Sequence, residues 1–278
     1  MKRLFKKFRQ RTNLVLGSMM MFVLIGTAIF APMLAPTHPY KDADLMVAEE
    51  PPSKKFWFGT DSQGRDILSR VIFGSRISLS IGLITQLVNS IIGITLGLTA
   101  GYFGGLWDDL VSGLTNIMLS IPSLIFALTI MGLLGPGLVN LYIAMGLTNW
   151  SYSCRITRSQ VLSVRSLAYV SAAKGMGYKN SKILISHVLP NILGPILVIT
   201  TLGVGSAILT EAALSFLGLG AQPPTPSWGG MLSNARDQFF TAPWIALFPG
   251  LSIFFTVLGF NLLGDGLRDI LDPHTIWK

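Results

Sequence analysis

Uncharged stretches long enough to cross a membrane alternate with short polar segments along this chain. A helix needs about 20 consecutive apolar residues to span the hydrocarbon of a bilayer. Six crossings are expected on that basis. Residues 13–34 make the first. Ile77 to Trp107 supplies the second, with an interfacial turn at Gly101–Gly105. Leu110 to Cys154 carries no charge at all. Gly135-Pro136-Gly137 divides it into the third and fourth crossings, because that tripeptide ends a helix. The fifth is about Pro190 to Leu214 and the sixth about Pro243 to Leu263. Lipid offers no partner to free backbone groups, so each crossing is expected to be helical. The pattern predicts an all-α membrane protein.

The polar segments orient it. They are residues 1–12, a loop at 35–76 with Pro36, Pro51 and Pro52, a basic loop at 155–186, a Gly/Pro-rich loop at 215–243 and a tail at 265–278. An even number of crossings puts both termini on one side. The two terminal segments and the basic loop hold 14 Lys and Arg residues, against 7 in the other two loops. The excess places both termini and the basic loop in the cytoplasm, and the loops 35–76 and 215–243 outside. The basic start before the first run reads as an uncleaved signal anchor rather than a cleaved leader.

Composition excludes several alternatives. Half of the 278 residues are hydrophobic and 12% are charged, against about 25% charged in soluble domains. The net charge of +8 sits beside apolar runs, where it favours anionic lipid headgroups over nucleic acid. Cys154 is the sole cysteine, and His38, His187 and His274 are far apart. No metal site or disulfide framework is expected.

The chemistry concentrates in residues 169–191. Ala172 and Ala173 are followed four residues later by Gly177, and Leu189-Pro190 lies twelve residues beyond. This resembles the cytoplasmic docking ("EAA") loop of ABC-importer permeases. The docking residues are then Ser171, Ala172, Ala173, Lys174, Gly175, Gly177, His187, Leu189 and Pro190. The alanines allow close approach of a partner, Gly177 permits a left-handed backbone angle, and Pro190 suits the first turn of the next membrane helix. His187 is read as packing or hydrogen bonding, not as a ligand.

Three further motifs extend the resemblance from about Trp57 to Pro273. They are Gly59-Thr-Asp-Ser-Gln-Gly-Arg-Asp66, Glu211-Ala-Ala-Leu-Ser-Phe-Leu-Gly-Leu-Gly220 leading into Pro223-Pro224 and Trp228, and Asn261-Leu-Leu-Gly-Asp265 continuing to Asp272-Pro273. Together they look like the dipeptide/oligopeptide/nickel branch of those permeases. The resemblance implies a type I ABC-importer permease fold with six transmembrane helices. It also implies a second homologous permease, two cytoplasmic ATPases that bind ATP and Mg, an extracytoplasmic solute-binding protein, and a bacterial or archaeal cytoplasmic membrane. No cofactor and no catalytic residue is expected on this chain. Gly59, Thr60, Asp61, Gly64, Arg65, Asp66, Pro223, Pro224 and Trp228 would face the binding protein. Asp61, Arg65 and Asp66 are expected to form a local ion network, and Trp228 an interfacial anchor.

Glu211 is the sole acid of the fifth run and marks a candidate pathway or gate residue. It is expected near the outer end of its helix, within reach of water. The chain departs from the branch at Ser171, where Glu is usual. It departs again at Gly113 and Asn116, where relatives commonly carry Arg and Asp, so an expected ion pair is missing. No phosphate-binding Gly-x-x-x-x-Gly-Lys loop and no hydrolase or metalloprotease motif occurs. Peptide import leads; a nickel or nickel-chelate cargo keeps the same architecture. A stand-alone channel or secondary transporter stays open as a reading that needs no ATPase.

Overall fold

A computed structural model describes residues 12–271, and they are helical throughout their long elements. In chain order these are α1 (Thr12–Ile29), α2 (Ala31–Leu34), α3 (Ile67–Phe103), α4 (Gly105–Ser120), α5 (Ser123–Leu134), α6 (Leu138–Gly146), α7 (Trp150–Arg165), α8 (Ala168–Gly175), α9 (Asn180–Ile183), α10 (Leu189–Phe216), α11 (Trp228–Asn234) and α12 (Trp244–Leu271). Residues 1–11 and 272–278, with the expected basic start and the Asp272-Pro273-His274 ending, lie outside the described residues.

By length and composition, four helices suffice to cross a membrane: α1, α3, α10 with the turns before it, and α12. The pair α4 and α5, bent by 86°, makes up to five. The bend falls at Ile121-Pro122, because a residue before proline is pushed out of helical geometry. The sequence reading located the Gly135-Pro136-Gly137 break, which does end α5, but missed this one and the gap between α6 and α7. The third and fourth uncharged stretches are therefore each in two pieces.

Helix α3 starts at Ile67, ten residues before the uncharged run. Asp66 caps it, accepting from the Ser69 backbone N–H at 2.8 Å. Arg70 stays inside the helix because it is paired: its Nε lies 3.4 Å from Asp61 Oδ2. At about 1.5 Å per residue, α3 is about 55 Å long, and its two ends define the two ends of the molecule. The polar loop accordingly closes at residue 66, not 76. At the other margin α12 continues through the predicted tail to Leu271, and residues 215–243 contain α11.

Small residues let the helices approach. Gly93, Gly97 and Gly101 form a stripe along α3, where a Cβ would meet the Trp150 and Cys154 carbonyls of α7 at 2.5 Å and Val161 at 2.9 Å. In lipid, where burial of apolar surface drives little, such close packing supplies much of the cohesion. Gly17 of α1 sits in the same way against Leu263 of α12. Helix α10 runs antiparallel to α3, and the bundle core lies between them, with Leu79, Val204, Ile208 and Phe260 buried together.

Candidate functional site

At the Phe103 end of α3, the predicted docking residues form a short helical projection. Helix α8 ends in a Schellman motif: Tyr178 N–H donates to Ala173 O at 3.2 Å and Gly177 N–H to Lys174 O at 3.0 Å. Gly177 holds φ +76°, which only glycine adopts readily. Ser171, Ala172, Lys174 and Gly175 are exposed on α8. Ala173 is not, contrary to expectation. It is buried with Val170, Ile183 and Val188, so Ala172 alone of the pair offers close approach.

Pro190 is the second residue of α10, as an N-terminal proline should be, but the helix does not begin afresh there. A π-helical turn, Leu184–Val188, leads into it, and Leu189 N–H donates to Leu184 O five residues back. The wider turn ends at Leu189, immediately before Pro190, which has no N–H to continue a hydrogen-bond ladder. His187 lies in that turn; its ring tilts against Tyr178 at 5.9 Å, and its buried Nδ1 has no hydrogen-bond partner.

Side chains that the sequence reading did not single out secure this projection. Tyr102 donates to Asn180 Oδ1 at 3.0 Å and lies under the Lys174 ammonium at 4.8 Å. Arg165 donates to Gly101 O at 2.7 Å. On its flank Arg158 binds Asp108 through Nη2 at 2.6 Å. Asn116 accepts from Arg155 at 2.7 Å, so its facing partner is Arg155 and not residue 113.

A groove of about 460 Å³ opens between α3, the α4–α5 bend, the start of α7 and α10. Gln86, Ser123, Asn149, Ser151, Ser206 and Thr210 give it polar groups, and no charged side chain lines it. The one sequence signal is the spacing of Gly203, Ser206 and Thr210, which sets small and polar residues on one face of α10. Gln86 lies flat on Gly203, where a Cβ would meet its amide at 2.5 Å.

The motif residues of the 59–66 segment gather at the other end of α3. Arg65 Nε donates to Asp61 Oδ2 at 2.8 Å, and Arg70 joins them. Asp66 takes no part in that network, being occupied as a cap. Gly59 and Gly64 have φ of +78° and +70°, and Thr60 N–H donates to Glu50 O at 3.0 Å, stitching the loop together. Pro223 and Arg70 line a shared cavity of about 200 Å³.

Three expectations fail here. Gly59, Thr60, Asp61, Gly64, Arg65 and Asp66 are all buried, because their side chains and backbone turn inward to hold the loop, so they present no face to a binding protein; Pro223 and Pro224 are exposed. Trp228 is no interfacial anchor: it is 1% exposed, and its indole N–H donates to Val71 O at 3.0 Å. Glu211 is 0% exposed, out of reach of water and of the groove. It accepts from Ser215 Oγ at 2.7 Å and from Ser78 Oγ at 3.2 Å. Among the described residues no three His, Cys, Asp or Glu side chains are placed to hold a metal.

Residues 93–277 match the family model "Binding-protein-dependent transport system inner membrane component". Residues 1–52 match "N-terminal TM domain of oligopeptide transport permease C". The chain is 46% identical to the dipeptide transport system permease protein DppC of Alkalihalophilus pseudofirmus, over 97% of this chain and 88% of that protein. It is 42% identical to the glutathione transport system permease protein GsiD of Shigella flexneri, over 96% of this chain and 88% of that protein. Among solved structures, a chain of the MetNI methionine ABC transporter superposes with a TM-score of 0.59 at 17% identity, covering 74% of this chain and 98% of that one. That likeness shows the fold, a type I ABC-permease fold.

Proposed function

This chain belongs to the family of binding-protein-dependent transport system inner membrane components, and from that premise we infer that it carries peptides through the membrane as one half of a two-permease pathway. It is a multi-pass integral membrane permease of an ABC importer. The proposed cargo is a dipeptide or short oligopeptide, the class named for its DppC relative. The rest of the machine is a second, homologous permease, two cytoplasmic ATPases that hold ATP and Mg, and an extracytoplasmic binding protein, in a bacterial or archaeal cytoplasmic membrane. Helices α6 and α7 complete a sixth crossing, with both termini in the cytoplasm. This chain binds no cofactor.

One arrangement carries this reading: the exposed α8 projection and the stitched 59–66 loop sit at opposite ends of α3, with an uncharged groove between them. The α8 end is cytoplasmic and meets an ATPase through Ser171, Ala172, Lys174 and Gly175. Gly177 and the π turn give it a stiff connection to α10. ATP binding closes the ATPases, moves α8 and opens the groove outward; hydrolysis resets it. The Asp61 end is external, and the exposed Pro223-Pro224 beside it faces the binding protein. An uncharged lining suits a passage that must release what it admits, while Gln86 and the serines offer hydrogen bonds to peptide amides irrespective of side chain.

The test is purification of the tagged chain in mild detergent, with ATPase assayed with and without a binding protein and dipeptides. Copurifying ATPases stimulated by dipeptide-loaded binding protein are expected. Stimulation by a nickel-loaded binding protein alone would replace the cargo. A chain that purifies alone and transports without ATP would overturn the reading.

A further inference from the structure

We propose that Glu211 is a positioning residue that fastens the short helix α11 to the groove-lining helix α10, so that the external cap and the pathway move as one piece. The observation behind it is a hydrogen-bond relay. Ser78 on α3 and Ser215 on α10 both donate to the Glu211 carboxylate, at 3.2 and 2.7 Å. Each serine hydroxyl has one proton to give. Ser78 gives its proton to Glu211 and accepts from the Trp228 backbone N–H at 3.2 Å. Ser227 accepts from the Gly230 N–H at 3.1 Å. The carboxylate thus fixes the direction of the Ser78 hydroxyl, which in turn holds the first backbone N–H of α11, while Ser227 caps the helix itself.

The neighbouring packing leaves no slack. A Cβ on Gly229 would meet the Ala212 backbone at 2.6 Å, so α11 lies directly on α10. Trp228 fills the remaining space against Gly74, where a Cβ would meet its ring at 3.1 Å. Thr210, next to Glu211 in sequence, lines the groove. One turn of α10 therefore presents a pathway residue on one face and the cap's anchor on another. A buried carboxylate held solely by hydroxyls is costly unless each of these bonds is made, which is why it is not a passive filler.

The transport consequence rests on the importer reading; the fastening itself does not. The test therefore reads α11 directly. Met231, buried at 4% exposure on α11, is replaced by Cys in a Cys154→Ala background of the assembled complex. Its rate of modification by a membrane-impermeant maleimide is then measured. Glu211→Met removes every acceptor and should speed modification by about tenfold or more, while Glu211→Gln, which keeps one oxygen, falls between it and wild type. Ser78→Ala, outside the carboxylate itself, should also speed it and remains informative if Glu211→Met does not assemble. A control cysteine at Ser163, exposed near the far end of α3 and outside the docking residues, should keep its wild-type rate in all variants. Binding-protein stimulation of ATPase should fall in the same order while unstimulated turnover persists. Equal modification rates in wild type, Glu211→Gln and Ser78→Ala would overturn the proposal, whatever the transport assays show.

Discussion

At the Asp61 end of α3 the joints are buried and charged, whereas at the α8 end the buried contacts are apolar and the polar ones lie at the margin. Arg65, Arg70 and Asp61 are each 6% exposed or less, and the carboxylate of Glu211 is fully enclosed. The α8 projection rests on a buried apolar cluster of Val170, Ala173, Ile183 and Val188, edged by one tyrosine hydroxyl, an exposed lysine over that tyrosine's ring, and one arginine bonded to a backbone carbonyl. Buried polar joints tolerate no sliding, because a half-made one is worse than none. Apolar contact is non-directional and so admits small shifts more readily. The difference suits the proposed role, in which the Asp61 end is a fixed frame and the α8 end a lever.

Four substitutions probe that contrast, the most disruptive first. Asp61→Ala strands two buried guanidinium groups and should destabilise the protein by about 3–5 kcal/mol, read as thermal unfolding of the purified complex. A variant as stable as wild type would remove the rigid-frame description. Gly97→Leu drives a side chain into the Cys154 carbonyl of α7 and should cost about 1–3 kcal/mol, with a lower unfolding temperature. Gly177→Ala forces a Cβ into left-handed geometry, a local strain of about 1–2 kcal/mol. Global unfolding should barely change, but ATPase copurification should weaken as the α8 terminus loses its cap. The mildest is Lys174→Met, which removes a surface cation–π contact of about 0.5–1 kcal/mol. Its unfolding should match wild type. A large stability loss there would mean that the α8 end is as firmly built as the Asp61 end.

The legible parts of the sequence were those where one residue type has one physical use. Gly135-Pro136-Gly137 ends a helix wherever it stands, and Gly177 four residues after Ala173 is a helix stop that the structure uses as such. The long uncharged runs gave α1, α3, α10 and α12 with small errors. Those errors share a cause: a charge reads as solvent exposure until its partner is known. Arg70 and Arg76 made the start of α3 look like loop, although Asp61 buries the first and Asp66 caps the helix ahead of both. Trp228 beside prolines looked interfacial, and only its place between α3 and α10 shows it to be core. Glu211 looked like a pathway group because Ser78, which bonds it from α3, lies 133 residues away in sequence, and Ser215 four residues on does not by itself announce a bond. The groove left the faintest trace, since an uncharged lining has no motif beyond Gly203, Ser206 and Thr210 on one helical face.

Uptake of a labelled dipeptide by proteoliposomes bearing the complete complex, with ATP on the α8 side and binding protein on the Asp61 side, tests the central claim most directly. Accumulation that requires both ATP and binding protein, and that ends when either is withheld, is the predicted result. Equal entry without ATP, or with ATP supplied only on the Asp61 side, would contradict it.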